Sequence, residues 1–203
     1  CWVLKCDIKR FFENIDHSVL YAILKTYIPD PKVLWLLEEV VRSFYSTRFG
    51  IGLPLGNLTS QLLVNVYLNE FDQFVKHKLK IKYYLRYADD FVLLSDSQGW
   101  LVDQIASIQN FLEARLKLHV PPGKISLRTF ASGVGFLGWV HFTDHRVIRI
   151  STKRRMMRRI QSNPTPETLN SYLGLLTHGN AYRLRARVLA DYFLARDAVK
   201  WTA

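Results

Sequence analysis

Hydrophobic and polar positions change their spacing repeatedly along the chain, and this predicts alternating strands and helices. Residues 1–8 form an apolar run that is typical of a buried strand. Apolar residues at helical spacing then predict three helices: residues 17–28 with Asp16 as N-cap, residues 31–43 with Pro31 in the first turn, and a long helix from Asn57 or Thr59 to about Leu79. Residues 45–55, before the long helix, are predicted to be extended.

A hairpin and a second series of elements are predicted next. Residues 82–87 and 91–95 are short apolar segments joined by Ala88-Asp89-Asp90, a connection tight enough for a hairpin. Residues 99–118 have helical spacing, and Pro121-Pro122-Gly123 interrupts the chain after them. The pattern then predicts strands at 125–130, 134–142 and 146–150, and helices at 151–161, 165–176 and 180–196. This order indicates the α/β (α+β) class, with a sheet backed by helices and a helical region after it.

Charge is distributed unevenly along the 203 residues, whose formal net charge is +11. Residues 1–100 carry 12 basic and 11 acidic side chains, whereas residues 101–203 carry 16 and 6. A basic excess in one part of a chain favours a polyanionic partner, nucleic acid before a membrane surface, although a basic protein without such a partner remains an alternative. We therefore predict an α/β body up to about residue 143 and a basic helical region beyond it.

Composition excludes several classes of protein. Hydrophobic residues make up 49% and charged residues 22%, which are values of globular proteins, and no uncharged apolar stretch reaches the length of a membrane span. Cys1 and Cys6 are too few for a disulfide scaffold or a cysteine zinc site, and their spacing on a strand predicts opposite faces. Low cysteine use favours a reducing, intracellular setting. Because the chain starts with Cys and enters a strand at once, we expect it to be part of a longer protein.

Three aspartates stand where apolar strands end. Asp7 lies near the end of the first strand, and Asp89 and Asp90 lie in the tight connection. Carboxylates held ionised near a core repel one another unless a cation neutralises them, and Mg²⁺ prefers oxygen ligands. Two such ions about 3.5–4 Å apart can activate a hydroxyl and stabilise a leaving pyrophosphate. The pattern suits nucleotidyl transfer, although Asp-Asp alone is also a common polar turn.

Four ordered segments resemble the palm motifs of prokaryotic reverse transcriptases: DIKRFFENIDH at 7–17, GLPLGNLTSQ at 52–61, YADD at 87–90 and FLGW at 136–139. The resemblance covers essentially the whole chain. It is strongest to group II intron-like enzymes and, among them, to the reverse transcriptases of diversity-generating retroelements. It implies an RNA-directed DNA polymerase with a palm at 1–143, a primer-grip end and helical basic thumb at 144–203, and fingers that are missing from this chain.

The resemblance implies roles for the acidic residues and the aromatic residue that follows them. Asp7, Asp89 and Asp90 match the catalytic, metal-binding carboxylates, and the carbonyl of Ile8 is implied to face a metal; the cofactor is two Mg²⁺ ions, with Mn²⁺ as an alternative. Phe12 matches a sugar gate that collides with a ribose 2′-hydroxyl and so selects deoxynucleotides. Plain core packing is the alternative for this aromatic ring.

The resemblance also implies a nucleotide-binding set. Leu55, Gly56 and Gln61 fall in the motif that lies against the incoming nucleotide and template base, with an ordinary loop and helix cap as the alternative. Most relatives have Gln and Pro where Leu55 and Gln61 stand, so this pair matches the diversity-generating branch and implies error-prone copying, above all opposite template adenines. Lys124 matches a lysine near the triphosphate that can act as a general acid, and a solvated loop lysine is equally compatible.

A nucleic-acid-binding set is implied for the last part of the chain. The segment FLGW resembles the primer-grip hairpin, and the helix after it carries a broad basic face that suits the phosphates of a template–primer duplex. A solvated basic helix and simple sheet packing are the alternatives. The residues of this set are Phe136, Leu137, Gly138, Trp139, Lys153, Arg154, Arg155, Arg158 and Arg159.

The resemblance finally implies the partners and the competing functions. Template RNA, a DNA or RNA primer duplex and dNTPs are the implied partners, with a retroelement accessory protein as a further candidate, no membrane, and a prokaryotic cytoplasmic setting. Another palm polymerase, such as an RNA-dependent RNA polymerase, is disfavoured by Phe12. A catalytically weak, maturase-like or defence-associated RNA-binding relative is disfavoured by the three aspartates. Without fingers, this chain alone is expected to polymerise poorly.

Overall fold

The computed structural model describes residues 1–46 and 48–197 and the backbone of residues 198–200. Its contacts divide the chain into two compact units, with the division between Arg128 and Thr129. This division falls earlier than the boundary predicted near residue 143. The strands of residues 134–148 lie with the helices that follow them, because the amide of Asn180 donates to the Arg146 carbonyl at 3.1 Å and Ile148 packs against the helical core.

The first unit contains a four-stranded sheet in the order β2-β3-β1-β4, in which β3 pairs antiparallel with both β1 and β2. A π-helical turn at Phe74–Lys78 extends the third helix. The strands are β1 (Trp2–Asp7), β2 (Tyr83–Tyr87), β3 (Asp90–Ser95) and β4 (Ile125–Thr129). The helices are α1 (His17–Tyr27), α2 (Pro31–Arg42), α3 (Leu58–Gln73) and α4 (Gln98–Leu116). The predicted hairpin and helices are confirmed.

Side-chain caps explain where the helices begin. The carboxylate of Asp16 accepts a hydrogen bond from the Val19 amide at 3.1 Å, as predicted, and Asp30 caps α2 in the same way. Residues 45–55 differ from the prediction, because the described residues there form turns with one isolated bridge between Asp16 and Ile51. Thr47 lies outside the described residues.

Alternation along the central strands separates a buried face from a more open one. Leu4 and Cys6 of β1 are buried, whereas Lys5 and Asp7 between and after them are partly exposed. Below the buried face, Phe71 of α3 meets Phe91 of β3 with ring centroids 4.9 Å apart. This contact packs β3 against α3 on the buried side of the sheet. Cys1, just before β1, is exposed and Cys6 is buried, and both are free thiols.

The second unit combines a small sheet with three helices. Its antiparallel strands are β5 (Val134–Phe136), β6 (Trp139–His141) and β7 (Arg146–Ile148). Its helices are α5 (Ile150–Ser162), α6 (Pro166–Leu176) and α7 (Tyr182–Lys200). The single strand predicted at 134–142 is wrong: Leu137 and Gly138 have φ angles of 51° and 83°, so the chain turns there and forms a hairpin.

Buried apolar residues from all three helices form the core of the second unit. Met156 and Ile160 of α5 pack with residues of α6 and α7, including Leu169 and Val188. In the part of the chain that the structure describes, no helix has the length and hydropathy required to cross a bilayer.

Candidate functional site

Sheet register brings the predicted aspartates to one end of the two central strands. Asp7, the last residue of β1, pairs directly with Asp90, the first residue of β3. Residues opposite each other in an antiparallel pair point to the same face, with Cβ atoms about 4.5–5.5 Å apart. Asp89 lies in the turn just before β3, and its carbonyl accepts a hydrogen bond from the Ile8 amide at 3.1 Å. The side chain of Ile8 itself is fully buried.

The turn that carries Asp89 has a constrained backbone. Tyr87 pairs with Asp90, so Ala88 and Asp89 form a two-residue loop, and Ala88 has a φ angle of 50° in the left-handed region. That conformation is unfavourable for a residue with a side chain and needs support from its surroundings. Arg86 supplies a contact, because its Nη1 donates to the Ala88 carbonyl at 3.2 Å.

A polar network behind the turn fixes Arg86. Its guanidinium binds the Asp72 carboxylate of α3 through two bonds, Nε–Oδ1 at 2.8 Å and Nη2–Oδ2 at 2.6 Å. The hydroxyl of Tyr84 also donates to Asp72, at 2.7 Å. Burial, and then the negative charge of Asp72, raise the pKa of this tyrosine, so it stays a neutral donor. The network therefore ties the turn before β3 to α3.

Burial and neighbouring charges act together on the Asp89 carboxylate. Burial raises the pKa of Asp89 above its ordinary value, and the charges of Asp7 and Asp90 raise it further. Lys124, in the turn before β4, opposes this shift and places its Nζ 3.0 Å from Asp7 Oδ1. The ionised form of Asp89 is therefore unfavourable in the folded protein, and the Lys124 ammonium compensates part of the negative charge.

Lys5 is a second cation at the site, and sequence reasoning missed it. Its Nζ lies 3.1 Å from both carboxylate oxygens of Asp90, although only Oδ2 receives a well-directed hydrogen bond. The signal was present in the sequence, since Lys5 and Asp7 are two residues apart on a strand and must share a face.

The donor set fits a hard divalent cation. Carboxylate oxygens from two adjacent strand ends are the ligands that Mg²⁺ prefers, and a cation relieves their repulsion. Within residues 1–46 and 48–197, no group of three or more His, Cys, Asp or Glu side chains is already arranged as a metal site.

Phe12 and the segment before α3 belong to one assembly. Phe12 is partly buried in a short turn after β1 and packs edge to face on the buried Phe11, with ring centroids 5.5 Å apart. The Phe12 carbonyl accepts a hydrogen bond from the Leu53 amide at 2.8 Å. The buried ring of His17 reaches the same loop, with Nε2 2.7 Å from the Gly52 carbonyl oxygen. Nothing in the sequence pattern indicated this role for His17.

The other predicted nucleotide-binding residues are open to solvent. Leu55 exposes 73% of its surface, and Gln61 is exposed on the first turns of α3. Gly56 has a φ angle of 91°, and a Cβ there would meet nothing within 4 Å, so its backbone conformation is what requires glycine.

The predicted nucleic-acid-binding residues belong to the second unit. Leu137 is exposed at the tip of the β5–β6 hairpin, Phe136 and Gly138 are partly exposed, and Trp139 is buried. On α5, Thr152, Met156 and Ile160 face the core. The basic residues of this helix are all exposed: Lys153, Arg154, Arg155, Arg158 and Arg159. Arg187 of α7 lines a cavity with three of them, which adds a charge that the α5 pattern did not include.

A sheet whose central antiparallel strands end in paired aspartates, with helices on its buried face, defines the palm of a nucleic-acid polymerase. The family model described as reverse transcriptase (RNA-dependent DNA polymerase) matches residues 1–141. The chain therefore belongs to the reverse transcriptase family.

Two curated relatives illustrate how far the similarity extends. Protein YkfC of Escherichia coli (strain K12) is 26% identical over 207 residues, which cover 83% of this chain and 52% of YkfC. The group II intron-encoded protein LtrA of Lactococcus lactis subsp. cremoris is 36% identical over 87 residues, which cover 40% of this chain and 14% of LtrA. The matches thus cover about half of one relative and a small part of the other.

Solved structures with the same fold include two telomerases. Apo telomerase from Candida tropicalis matches with a TM-score of 0.60 and 12% identity, covering 99% of this chain and 42% of that chain. Telomerase from Candida albicans in complex with a TWJ fragment of telomeric RNA matches with a TM-score of 0.58 and 14% identity, covering 96% and 40%. At these identities the likeness concerns the fold alone.

Proposed function

We propose that the protein is an RNA-directed DNA polymerase that extends a primer 3′-hydroxyl with dNTPs on an RNA template. The observation that carries this proposal is the register that pairs Asp7 with Asp90 and sets Asp89 in the adjoining turn, in a chain of the reverse transcriptase family. Dependence on divalent metal is general in this family. When bound, two Mg²⁺ ions, or Mn²⁺ in their place, supply activation of the attacking hydroxyl and stabilisation of leaving pyrophosphate.

The chain's own residues have distinct roles in this proposal. Asp7, Asp89 and Asp90, with the carbonyl of Ile8, would hold the metal ions. Lys124 lies beside Asp7 and can deliver a proton to pyrophosphate from the edge of the site.

Substrate selection is assigned to the assembly around Phe12. The hydrogen bond from the Leu53 amide holds the backbone of Phe12, and this supports a role for its ring as a barrier to a ribose 2′-hydroxyl. Leu55, Gly56 and Gln61, open to solvent, would lie against the incoming nucleotide and the template base.

We assign residues 1–143 to the palm and residues 144–203 to the primer-grip end and thumb, of which 201–203 lie outside the described residues. The hairpin residues Phe136, Leu137, Gly138 and Trp139 would support the primer end. The exposed arginines of α5 would contact duplex phosphates, which position nucleic acid without reading its sequence.

Primer extension with the full-length protein tests the proposed function. A labelled primer annealed to an RNA template is incubated with dNTPs or with rNTPs, in Mg²⁺ or in EDTA. We expect Mg²⁺-dependent DNA synthesis and little product from rNTPs, because Phe12 excludes the 2′-hydroxyl. Preferential use of rNTPs would favour an RNA polymerase, and failure to extend in Mg²⁺ would favour an RNA-binding relative.

The thumb assignment predicts a change in salt dependence. Replacing Arg154, Arg155, Arg158 and Arg159 with Gln should weaken duplex binding. The slope of the logarithm of the association constant against the logarithm of salt concentration should become smaller in magnitude by about 3, because fewer counterions are released. Fluorescence anisotropy with a labelled RNA–DNA duplex at several salt concentrations measures this slope. Four exposed lysines of the first unit, changed to Gln together, form the control: Lys25, Lys32, Lys78 and Lys80. A slope equal to that of the control would contradict the assignment.

We further propose a prokaryotic, cytoplasmic enzyme of the diversity-generating branch, working with a retroelement accessory protein and copying with low fidelity. Support comes from Leu55 and Gln61, at positions where most relatives have Gln and Pro. A template repeat and a variable target gene next to the coding gene would support this branch, and a group II intron around the gene would contradict it.

A further inference from the structure

Lys5 lies on the open face of β1 in a position set by the strand itself. It is two residues before Asp7 and pairs with Val92, whereas Asp7 pairs with Asp90, so Lys5 and Asp90 are diagonal neighbours on one face. The side chains of Lys5 and Asp90 expose 21% and 26% of their surface, so both are largely shielded from water. Because both residues belong to paired strands, the strand register itself keeps the Lys5 ammonium within reach of the Asp90 carboxylate.

The two lysines at the site are held differently. Lys124 lies in a turn and exposes 50% of its side chain, so water screens its contact with Asp7 more strongly. Lys5 projects from the central strand, and its Nζ lies 3.1 Å from both oxygens of Asp90. Its positive charge therefore lies beside the Asp90 carboxylate, and it offsets part of the negative potential at this end of the sheet.

We infer that Lys5 is a positioning residue that acts as a built-in counter-cation: it holds the Asp90 carboxylate and weakens the site's attraction for divalent metal. The inference rests on the proposed metal-binding role of Asp7, Asp89 and Asp90. Weaker metal binding would favour turnover, because a site that binds metal less tightly can release metal-bound pyrophosphate after each nucleotide addition. Lys5 itself touches neither the substrate nor the metal in this role.

Removal of the Lys5 charge is expected to strengthen metal binding. Lys5→Met keeps the aliphatic stem, and we expect the full-length variant to bind Mn²⁺ about three- to tenfold more tightly than wild type, because one repulsive charge is gone. Titration of free Mn²⁺ by electron paramagnetic resonance measures this affinity without catalysis. Lys5→Arg keeps the charge and should bind like wild type within about twofold. Lys32→Met, an exposed lysine of α2, is the neutral control.

A gain in affinity distinguishes this role from a structural one, since damage to the fold would weaken metal binding. Lys5→Gln provides a second neutral variant in case Met at this position prevents folding. Steady-state primer extension should show a lower half-saturating Mg²⁺ concentration together with a lower kcat. Mn²⁺ affinity in Lys5→Met and Lys5→Gln that equals or falls below that of Lys32→Met would overturn the inference. A wild-type protein that binds no Mn²⁺ at this site would instead refute the proposed function.

Discussion

Asp89→Asn is expected to reduce primer extension at least a hundredfold while leaving the fold as stable as before or more so. The loss of activity follows from removing a charged oxygen ligand from a site that works by electrostatic stabilisation, where one such group contributes about 10²–10³-fold. The effect on stability has the opposite sign. Burial and the charges of Asp7 and Asp90 raise the pKa of Asp89, so its ionised form is unfavourable in the folded protein.

The direction of the pH dependence follows from that raised pKa. An acid whose pKa is higher in the folded state favours folding below its ordinary value of about 4, and this contribution is lost as pH rises through the folded value. The neutral amide of Asp89→Asn does not ionise, so the variant does not lose this contribution to stability as pH rises. The free energy of unfolding of Asp89→Asn should therefore equal or exceed that of wild type at pH 7, and the difference should shrink towards pH 4.

Urea unfolding without divalent metal at pH 4 and pH 7 tests the predicted change in stability, and primer extension tests the predicted loss of activity. Asp103→Asn, on the exposed side of α4, is the matched control and should change neither measurement. An Asp89→Asn variant that is markedly less stable than this control would show that the carboxylate supports the fold, contrary to the prediction.

Arg86→Met is expected to lower the free energy of unfolding by about 3–5 kcal/mol. The Arg86 side chain exposes only 10% of its surface and the Asp72 side chain 28%. Removing the guanidinium leaves the Asp72 carboxylate without its bidentate partner in a shielded place, and it also frees the Ala88 carbonyl. The cost of such a change comes mainly from the charge that stays behind.

Two variants make this prediction specific. Arg42→Met removes a guanidinium that pairs with Glu38 on the surface of α2 and exposes 60% of its side chain, so a loss below about 1 kcal/mol is expected. The double variant Arg86→Met/Asp72→Leu removes both charges and should recover much of the loss. Urea unfolding of the full-length protein measures the free energy of unfolding of all three variants. Equal losses for Arg86→Met and Arg42→Met would show that the network contributes little.

Local patterns predicted most of the elements of the first unit. The apolar strand that ends at Asp7 and the apolar segments around Ala88-Asp89-Asp90 were recognised because a short apolar run bounded by polar or turn residues is typical of a buried strand. The N-cap at Asp16 was recognised because a carboxylate before an apolar helical stripe satisfies free amides of the first turn.

The errors share a physical cause, which is backbone pairing that the spacing of apolar residues does not show. Residues 45–55 were predicted to be extended, yet the described residues there form turns, and their one isolated bridge joins Ile51 to Asp16, a residue far away in the chain. The turn at Leu137 was missed because leucine seldom adopts a positive φ angle, and pairing of the flanking strands imposes it.

The sequence by itself determined that this chain has a palm-like order of strands and helices, three aspartates at strand ends and a basic region after residue 143. Those properties depend on neighbours in the chain, where spacing and capping are local. Tertiary structure alone decided that Asp7 stands opposite Asp90, that Lys5 reaches Asp90 from the same face, and that Arg86 ties the turn to α3. Each of these joins segments that are distant in sequence, and their distances are set by strand register and by helix packing against the sheet, which no local pattern encodes.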